Sequence, residues 1–199
     1  AEFRKMAAYI AAVVAAKKGN YMVFFPSYQL MGQVYSQFLQ VMPEGVQVLV
    51  QKAGMLEAQR EAFLGEFQDT REGTLVAFCV MGGIFGEGID LKEERLIGAL
   101  IVGTGLPQIG NEREILKNYY DKRAGEGFDY AYRYPGMNKV LQAAGRVIRT
   151  AGDRGVIVLL DERFLESSYL RLFPKEWETY TVCSQRDAGE TALHFWEQL

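Results

Sequence analysis

Hydrophobic residues follow two different spacings along this chain. Short, uninterrupted apolar runs predict buried β-strands, and they alternate with segments whose apolar residues recur every three or four positions, as on one face of a helix. Helical spacing occurs at residues 3–13, 30–41, 58–67, 115–120 and 138–150. Strand-like runs occur at residues 21–25, 46–50, 75–80, 99–102 and 156–160, and a weaker pattern at residues 180–183 indicates a sixth strand.

This alternation predicts how the elements are layered. Buried strands separated by amphipathic helices are typical of a parallel sheet with helices on both faces. Right-handed crossovers place the loops that follow the strands along one edge, where ligands usually bind. We therefore predict an α/β protein with three layers and a mostly parallel central sheet. Residues 1–184 are expected to form this single domain, with 103–137 as an irregular insertion and 185–199 as a polar C-terminal tail without a place in the core.

Composition limits the kinds of partner and compartment. With 22 basic and 25 acidic residues the net charge is −3, which argues against a strong overall positive field but leaves room for a local phosphate-contacting face. Cys79 and Cys183 are far apart, so the chain is not expected to build a zinc or iron–sulfur site, and a reduced intracellular compartment fits best. No apolar run approaches the roughly 18 residues of a membrane span. Because the chain begins at Ala1, we expect it to be a fragment of a longer protein.

The usual phosphate-binding loops are missing from the sequence. No Gly-x-x-x-x-Gly-Lys-Ser/Thr segment is present, and no acidic pair follows a strand where it would hold magnesium. Gly103 and Gly105 begin a dinucleotide-binding pattern, but Gln108 stands where the third glycine is required, so this segment is interpreted as a turn. By itself the chain is therefore not expected to hold a triphosphate in the usual way.

The most specific segment is Gln-Ala-Ala-Gly-Arg-Val-Ile-Arg at residues 142–149. On a helix that turns about 100° per residue, Gln142, Arg146 and Arg149 share one face. Gly145 costs about 1 kcal/mol relative to alanine in a helix, so its presence suggests the close approach of a ligand or another backbone. Two guanidinium groups suit phosphate oxygens. The alternative is a solvated charged face with an incidental glycine.

Segments in four places, taken together, resemble one protein family. The Gln142 segment is similar to motif VI of superfamily 2 helicases, and residues 86–91, Gly-Glu-Gly-Ile-Asp-Leu, resemble motif V of the XPD/DinG branch. Residues 24–28, Phe-Phe-Pro-Ser-Tyr, resemble the motif IV region of that branch, and residues 105–107 resemble the segment after motif V. The resemblance covers most of residues 21–163 and implies the second RecA-like motor domain of a DNA helicase.

The resemblance implies roles around ATP. In this family ATP and Mg²⁺ lie between two RecA-like domains, and the first domain supplies the phosphate loop and the acidic box. Arg149 then corresponds to an arginine finger, Arg146 to a second γ-phosphate contact and Gln142 to a supporting polar contact. Gly88, Asp90 and Gly145 correspond to further residues beside the nucleotide. ATP and Mg²⁺ are expected to be bound mainly by the first domain, so no cofactor is expected in this chain alone.

The resemblance also implies contacts to DNA and the partners of the chain. Ser27 and Tyr28 correspond to strand contacts, with the Ser27 hydroxyl as a phosphate-backbone donor, and Gly86 and Glu87 correspond to the loop that joins the ATP cleft to the DNA. The implied partners are single-stranded DNA and the N-terminal P-loop domain, with no membrane. The implied location is cytoplasmic, at the nucleoid in a bacterium, or nuclear in a eukaryote.

Structural alternatives stay open for several of these residues. Ser27 and Asp90 are also suited to capping helices, and the glycines of residues 82–88 to making tight turns. Gly86 and Gln108 depart from residues common in the family. Tyrosines stack on bases or form half-buried packing, and both are possible for Tyr119, Tyr120, Tyr130, Tyr132 and Tyr134. Competing interpretations of the whole chain are a Rossmann-like enzyme, which would need a complete glycine pattern, and a RecA-like scaffold that has lost motor activity.

Overall fold

The computed structural model describes residues 2–68, 72–83, 85, 96–148 and 152–199. Five strands in this part of the chain form one sheet in the order β2-β3-β1-β4-β5. Every neighbouring pair is parallel, as the uninterrupted apolar runs predict. The strands are β1 (Asn20–Phe25), β2 (Val46–Val50), β3 (Thr74–Val80), β4 (Gly98–Val102) and β5 (Val156–Leu160).

Helices precede the first strand, connect the strands and follow the last one. They are α1 (Glu2–Ala15), α2 (Tyr28–Phe38), α3 (Glu57–Gly65), α4 (Asn111–Ala124), α5 (Tyr134–Ala144), α6 (Ser167–Leu170) and α7 (Ala188–Glu197). A π-helical turn, Asp129–Arg133, leads into α5, and short 3₁₀ turns at Glu162–Leu165 and Lys175–Trp177 flank α6. No helix in the described part of the chain is long and apolar enough to cross a membrane.

The core lies in two layers on either side of the sheet, because successive strand residues point to opposite faces. Met22 and Phe24 of β1 pack with residues of α3 and α5, whereas Tyr21, Val23 and Phe25 pack with residues of α1 and α2. Helices therefore cover both faces, and the predicted three-layer α/β architecture is confirmed.

Helix α5 runs along the sheet from the carboxyl end of β4 towards the amino ends of β4 and β5. At its beginning, a Cβ on Gly136 would lie 2.7 Å from the Thr104 carbonyl oxygen, just beyond the carboxyl end of β4. Past the end of the helix, Val147 Cγ1 lies 2.2 Å from where a Cβ of Gly155 would be, at the amino ends of β4 and β5. Residues 145–147 are therefore held at the edge opposite to the one where α5 begins.

Three predictions about the secondary structure were wrong. The predicted helix over residues 138–150 ends at Ala144, because Gly145 and the next two residues form a tight turn. Residues 103–137 are largely helical and not irregular, since they contain α4 and the π-helical turn; the helix predicted at residues 115–120 is confirmed as part of α4. Residues 180–183 form no strand: Tyr180 packs edge-on to the Phe173 ring, and Val182 is exposed.

The C-terminal segment has a place in the core. Ala188 and Ala192 of α7 are buried with Ala7 and Ile10 of α1, and Trp196 packs at their margin. The Lys17 ammonium lies 4.3 Å from the centre of the Trp196 ring, which adds a cation–π contact. The expectation that residues 185–199 lie outside the core was therefore wrong, whereas the division of the chain at residue 184 stays a prediction.

Candidate functional site

Ser27 stands at the junction between β1 and α2, at the carboxyl edge of the sheet. Its backbone is extended (φ −156°, ψ 155°), and its Oγ accepts a hydrogen bond from the Leu30 N–H at 3.2 Å. This geometry is that of a helix N-cap, so the capping role considered from the sequence is confirmed. A capping oxygen uses one lone pair, and the hydroxyl proton remains able to donate to a ligand.

Replacement of Ser27 by alanine is expected to lower the free energy of unfolding by about 1 kcal/mol, because an amino-terminal N–H of α2 loses its acceptor. Urea denaturation of both proteins measures this change. Ser36→Ala is the matched control, since the Ser36 hydroxyl bonds the Gly32 carbonyl on the exposed side of the same helix and caps nothing. Equal losses in the two variants would contradict a capping role for Ser27.

Tyr28 is linked to a residue that the sequence interpretation did not single out. Its hydroxyl accepts a hydrogen bond from Gln51 Nε2 at 3.0 Å, and Gln51 Oε1 accepts one from the Val80 N–H at 2.8 Å. Gln51 is 2% exposed although it is polar. In the sequence, Gln51 is distinguished only because it directly follows the apolar strand β2. Many polar surface residues also follow a strand.

The carboxyl ends of β4 and β5 lie at the same edge of the sheet as Ser27 and Tyr28. Gly103 and Gly105 have positive φ angles of 78° and 67°, and the chain bends at Gly103. After β5, Asp161 accepts hydrogen bonds from Arg163 Nε at 2.9 Å and Nη2 at 2.6 Å. This bidentate pair raises the pKa of the Arg163 guanidinium above its ordinary value.

The motif VI residues lie at the other end of α5. Gln142 and Gly145 are exposed and Arg146 is partly exposed, whereas Ala143, Ala144 and Val147 are buried in the core. The prediction that Gln142 and Arg146 share one helical face was wrong: the helix ends at Ala144, and Arg146 lies in the turn that follows. The buried residues nevertheless anchor this turn and hold Arg146 at a partly exposed position.

The structure does not bring all of the predicted site residues together. Ser27 and Tyr28 lie at the carboxyl edge of the sheet, whereas Gln142, Gly145 and Arg146 lie towards the amino ends of β4 and β5. Predictions for Gly86, Glu87, Gly88, Asp90 and Arg149 concern positions outside the described residues. The site is thus two groups of residues, separated along the length of α5.

The tyrosines after β4 pack mainly on one another. The rings of Tyr120 and Tyr130 are stacked at 4.0 Å, and Tyr134 meets Tyr130 edge-on at 5.2 Å. Tyr132 is buried and its hydroxyl bonds the Glu114 carboxylate, which agrees with the packing alternative. Tyr119 is half exposed on the outer face of α4. Within the described residues, no group of three or more His, Cys, Asp or Glu residues could hold a metal ion.

Comparison with known proteins agrees with this architecture. The model of the helicase C-terminal domain family matches residues 10–180. "ATP-dependent DNA helicase YoaA" of Escherichia coli (strain K12) is 28% identical over 169 residues, which cover 83% of this chain and 25% of that protein. "3'-5' exonuclease DinG" of Bacillus subtilis (strain 168) is 24% identical over 184 residues, which cover 92% of this chain and 19% of that protein.

Solved structures show the same fold. A structure titled "XPD_Helicase" superposes with a TM-score of 0.65 at 24% identity, covering 85% of this chain and 29% of that one. The α/β RecA-like prediction is thereby confirmed. The chain spans a quarter or less of the length of the two curated relatives, at 25% and 19%. Because the family model covers most of the chain, from residue 10 to residue 180, the protein belongs to the helicase C-terminal domain family.

Proposed function

We propose that this chain is the second motor domain of an ATP-dependent DNA helicase and works with a P-loop domain in a longer protein. Family membership supports a helicase role, and the absence of a phosphate loop from the sequence supports dependence on another domain. YoaA, which is similar over 83% of this chain, bears the name of an ATP-dependent DNA helicase.

One observation carries the proposal: Gln142 near the end of α5 and Gly145 after it are exposed and Arg146 is partly exposed, while Ala143, Ala144 and Val147 are buried. Gln142 and Gly145 face solvent, and Val147 is fixed against Gly155 and the strand ends. An arginine in a turn anchored on both sides is held close to the geometry it needs, so less entropy is lost when it meets a phosphate. Gly145 has no side chain to keep a nucleotide at a distance.

In this proposal the chain completes a site whose triphosphate and Mg²⁺ are held mainly by the other domain. Arg149 and Arg146 donate hydrogen bonds to phosphoryl oxygens and stabilise the charge that develops there during hydrolysis. Gln142 contributes a neutral contact, and Gly88 and Asp90 lie beside the nucleotide. The phosphoryl-transfer chemistry itself belongs to ATP, the attacking water and the metal.

The DNA-contacting group lies at the opposite edge of the sheet. Ser27 and Tyr28 offer hydroxyl groups at the amino end of α2, and Gly86 and Glu87 are proposed to lie beside the same strand of DNA. Phosphate contacts of this kind fix the position of a nucleic acid without reading its sequence. The same proposal locates the protein with the chromosome, in the cytoplasm of a bacterium or the nucleus of a eukaryote.

The decisive experiment compares this chain alone with a protein that joins it to the P-loop domain of its parent. The chain alone is expected to show negligible ATP turnover and weak, salt-sensitive binding to single-stranded DNA. The joined protein is expected to release phosphate at a rate that DNA stimulates. Substantial ATP turnover by the chain alone would contradict the proposal. DNA-independent or absent turnover by the joined protein would favour the scaffold interpretation instead.

A further inference from the structure

Gln51 is buried where three neighbouring segments leave the sheet. Its backbone N–H donates to the Phe78 carbonyl at 2.9 Å, its Oε1 accepts from the Val80 N–H at 2.8 Å, and its Nε2 donates to the Tyr28 hydroxyl at 3.0 Å. A Cβ on Gly83 would lie 3.2 Å from Nε2, so the loop after β3 closes tightly over the amide. One side chain therefore connects β2, β3 and the beginning of α2.

These contacts fix which way the amide faces. A backbone N–H can only donate, so the oxygen of Gln51 must face Val80 and the NH₂ group must face Tyr28. The Tyr28 oxygen is consequently an acceptor towards Gln51, and its own proton is directed elsewhere. Tyr28 is 42% exposed, so that proton is available to a ligand at the surface.

We propose that Gln51 is a positioning residue that keeps the Tyr28 hydroxyl as a hydrogen-bond donor towards a backbone phosphate of single-stranded DNA. This rests on the proposed function. A phosphate fits because Ser27 presents a second hydroxyl beside Tyr28, and the first turn of α2 carries no acidic residue. The positive end of the helix macrodipole favours an anion at the same place.

Two substitutions separate this role from a general structural one. Tyr28→Phe removes the donor and is expected to weaken binding of a dT oligonucleotide about tenfold, the loss typical of a hydrogen bond to a charged group. Gln51→Glu keeps the shape and the contact with Val80, but the carboxylate accepts only, so the Tyr28 proton turns inwards. A loss at least as large is expected, measured by fluorescence anisotropy with the 199-residue chain at low salt.

The double variant distinguishes hydroxyl orientation from simple charge repulsion. The carboxylate introduced by Gln51→Glu repels phosphate whether or not the Tyr28 hydroxyl is present, so that part of the loss persists in the Tyr28→Phe background. The part due to orientation disappears there, and strong non-additivity between the two substitutions is the expected result. Full additivity would overturn the proposal. Tyr35→Phe on the same helix is the matched control, and its binding is expected to be unchanged.

Further measurements test the ligand and the fold. On an oligonucleotide with uncharged methylphosphonate linkages, the Tyr28→Phe loss should shrink; an undiminished loss would mean that the hydroxyl donates to a base, against the proposal. Displacement of the oligonucleotide by inorganic phosphate at the same concentration as the oligonucleotide would also overturn the proposal. Thermal unfolding verifies that each variant is folded. If Gln51→Glu does not fold, Gln51→Met replaces it, because it removes both side-chain hydrogen bonds without adding charge, and unchanged DNA binding by that variant would overturn the proposal. If the unsubstituted chain does not bind DNA, the DNA contacts of the proposed function are contradicted as well. If it binds DNA and Tyr28→Phe has no effect, only the roles of Gln51 and the Tyr28 hydroxyl are contradicted.

Discussion

Replacing Arg149 by alanine in a protein that contains both motor domains is expected to slow DNA-stimulated ATP hydrolysis by about 10³-fold or more. Arg149 is the last residue of the Gln-x-x-Gly-Arg-x-x-Arg segment and the proposed arginine finger. Its guanidinium would stabilise charge that spreads over the transferring phosphoryl group, and that interaction is strongest in the transition state. A loss in kcat with little change in the KM for ATP is the signature of such a group.

Two comparisons make this result specific. Arg149→Lys retains the positive charge but not the planar pair of donors, so it is expected to restore only part of the rate. Arg4→Ala, on the exposed side of α1, is the control for removing an arginine far from the segment. Binding of single-stranded DNA should be nearly unchanged by Arg149→Ala. A rate within a few-fold of the unsubstituted protein would disprove the arginine-finger assignment.

The sheet could be predicted because its strands carry a strong and unambiguous signal. In β1 and β3 nearly every residue is buried on one face or the other, so the apolar runs are uninterrupted and their ends coincide with Pro26 and the glycines after residue 81. The motif VI segment could be located for a different reason. The spacing of its residues is so specific that the segment can be identified from the sequence alone.

The errors arise where the apolar signal is weak or where a turn imitates a helix. The residues that α7 buries are the small Ala188 and Ala192, whereas its large apolar residue Leu193 is exposed, so the packed face is not the one with the largest side chains. After α5, the Arg146 and Val147 amides bond the carbonyls three residues back, at 3.3 and 3.1 Å. Such a tightened turn has nearly the same spacing as an α-helix, and sequence periodicity does not distinguish the two.

Gln51 illustrates a further limit of the sequence. Its role depends on three partners that are distant in the chain, namely Tyr28, Phe78 and Val80, and these meet only when β3 is inserted between β1 and β2. A single glutamine after a strand does not indicate that crossover. The carboxyl edge could be predicted as a place for ligands, but the side chain that organises it could not.

Replacing Asp129 by alanine is expected to lower the free energy of unfolding by about 3 kcal/mol or more. Asp129 lies in the π-helical turn before α5, and its carboxylate pairs with Arg133 and with Arg171, which follows α6. Its side chain is 9% exposed and that of Arg133 is 17% exposed. The Arg133 guanidinium lies 5.2 Å from the Phe128 ring centre and 5.3 Å from that of Tyr169, so it is held between two aromatic side chains.

The size of this loss follows from what the substitution leaves behind. Arg133 Nε is buried without a hydrogen-bond partner among the described residues, so the guanidinium depends heavily on Asp129 for compensation of its charge. Asp129→Asn retains one acceptor and is expected to cost less than Asp129→Ala. Glu57→Gln breaks an exposed pair with Arg60 and is the control, with an expected loss of about 0.5 kcal/mol or less. Urea denaturation gives the three values.

The same substitution should loosen α5, which ends within the motif VI segment. Asp129 joins the turn before α5 to the segment after α6, and α5 begins immediately after Arg133. Without this link, amide hydrogen exchange at the beginning of α5 should accelerate more than exchange in β1, since the ion pairs hold that end of the helix and not the sheet. Uniform acceleration would mean that Asp129 stabilises only the whole domain. A stability loss no larger than that of Glu57→Gln would mean that solvent already compensates Arg133.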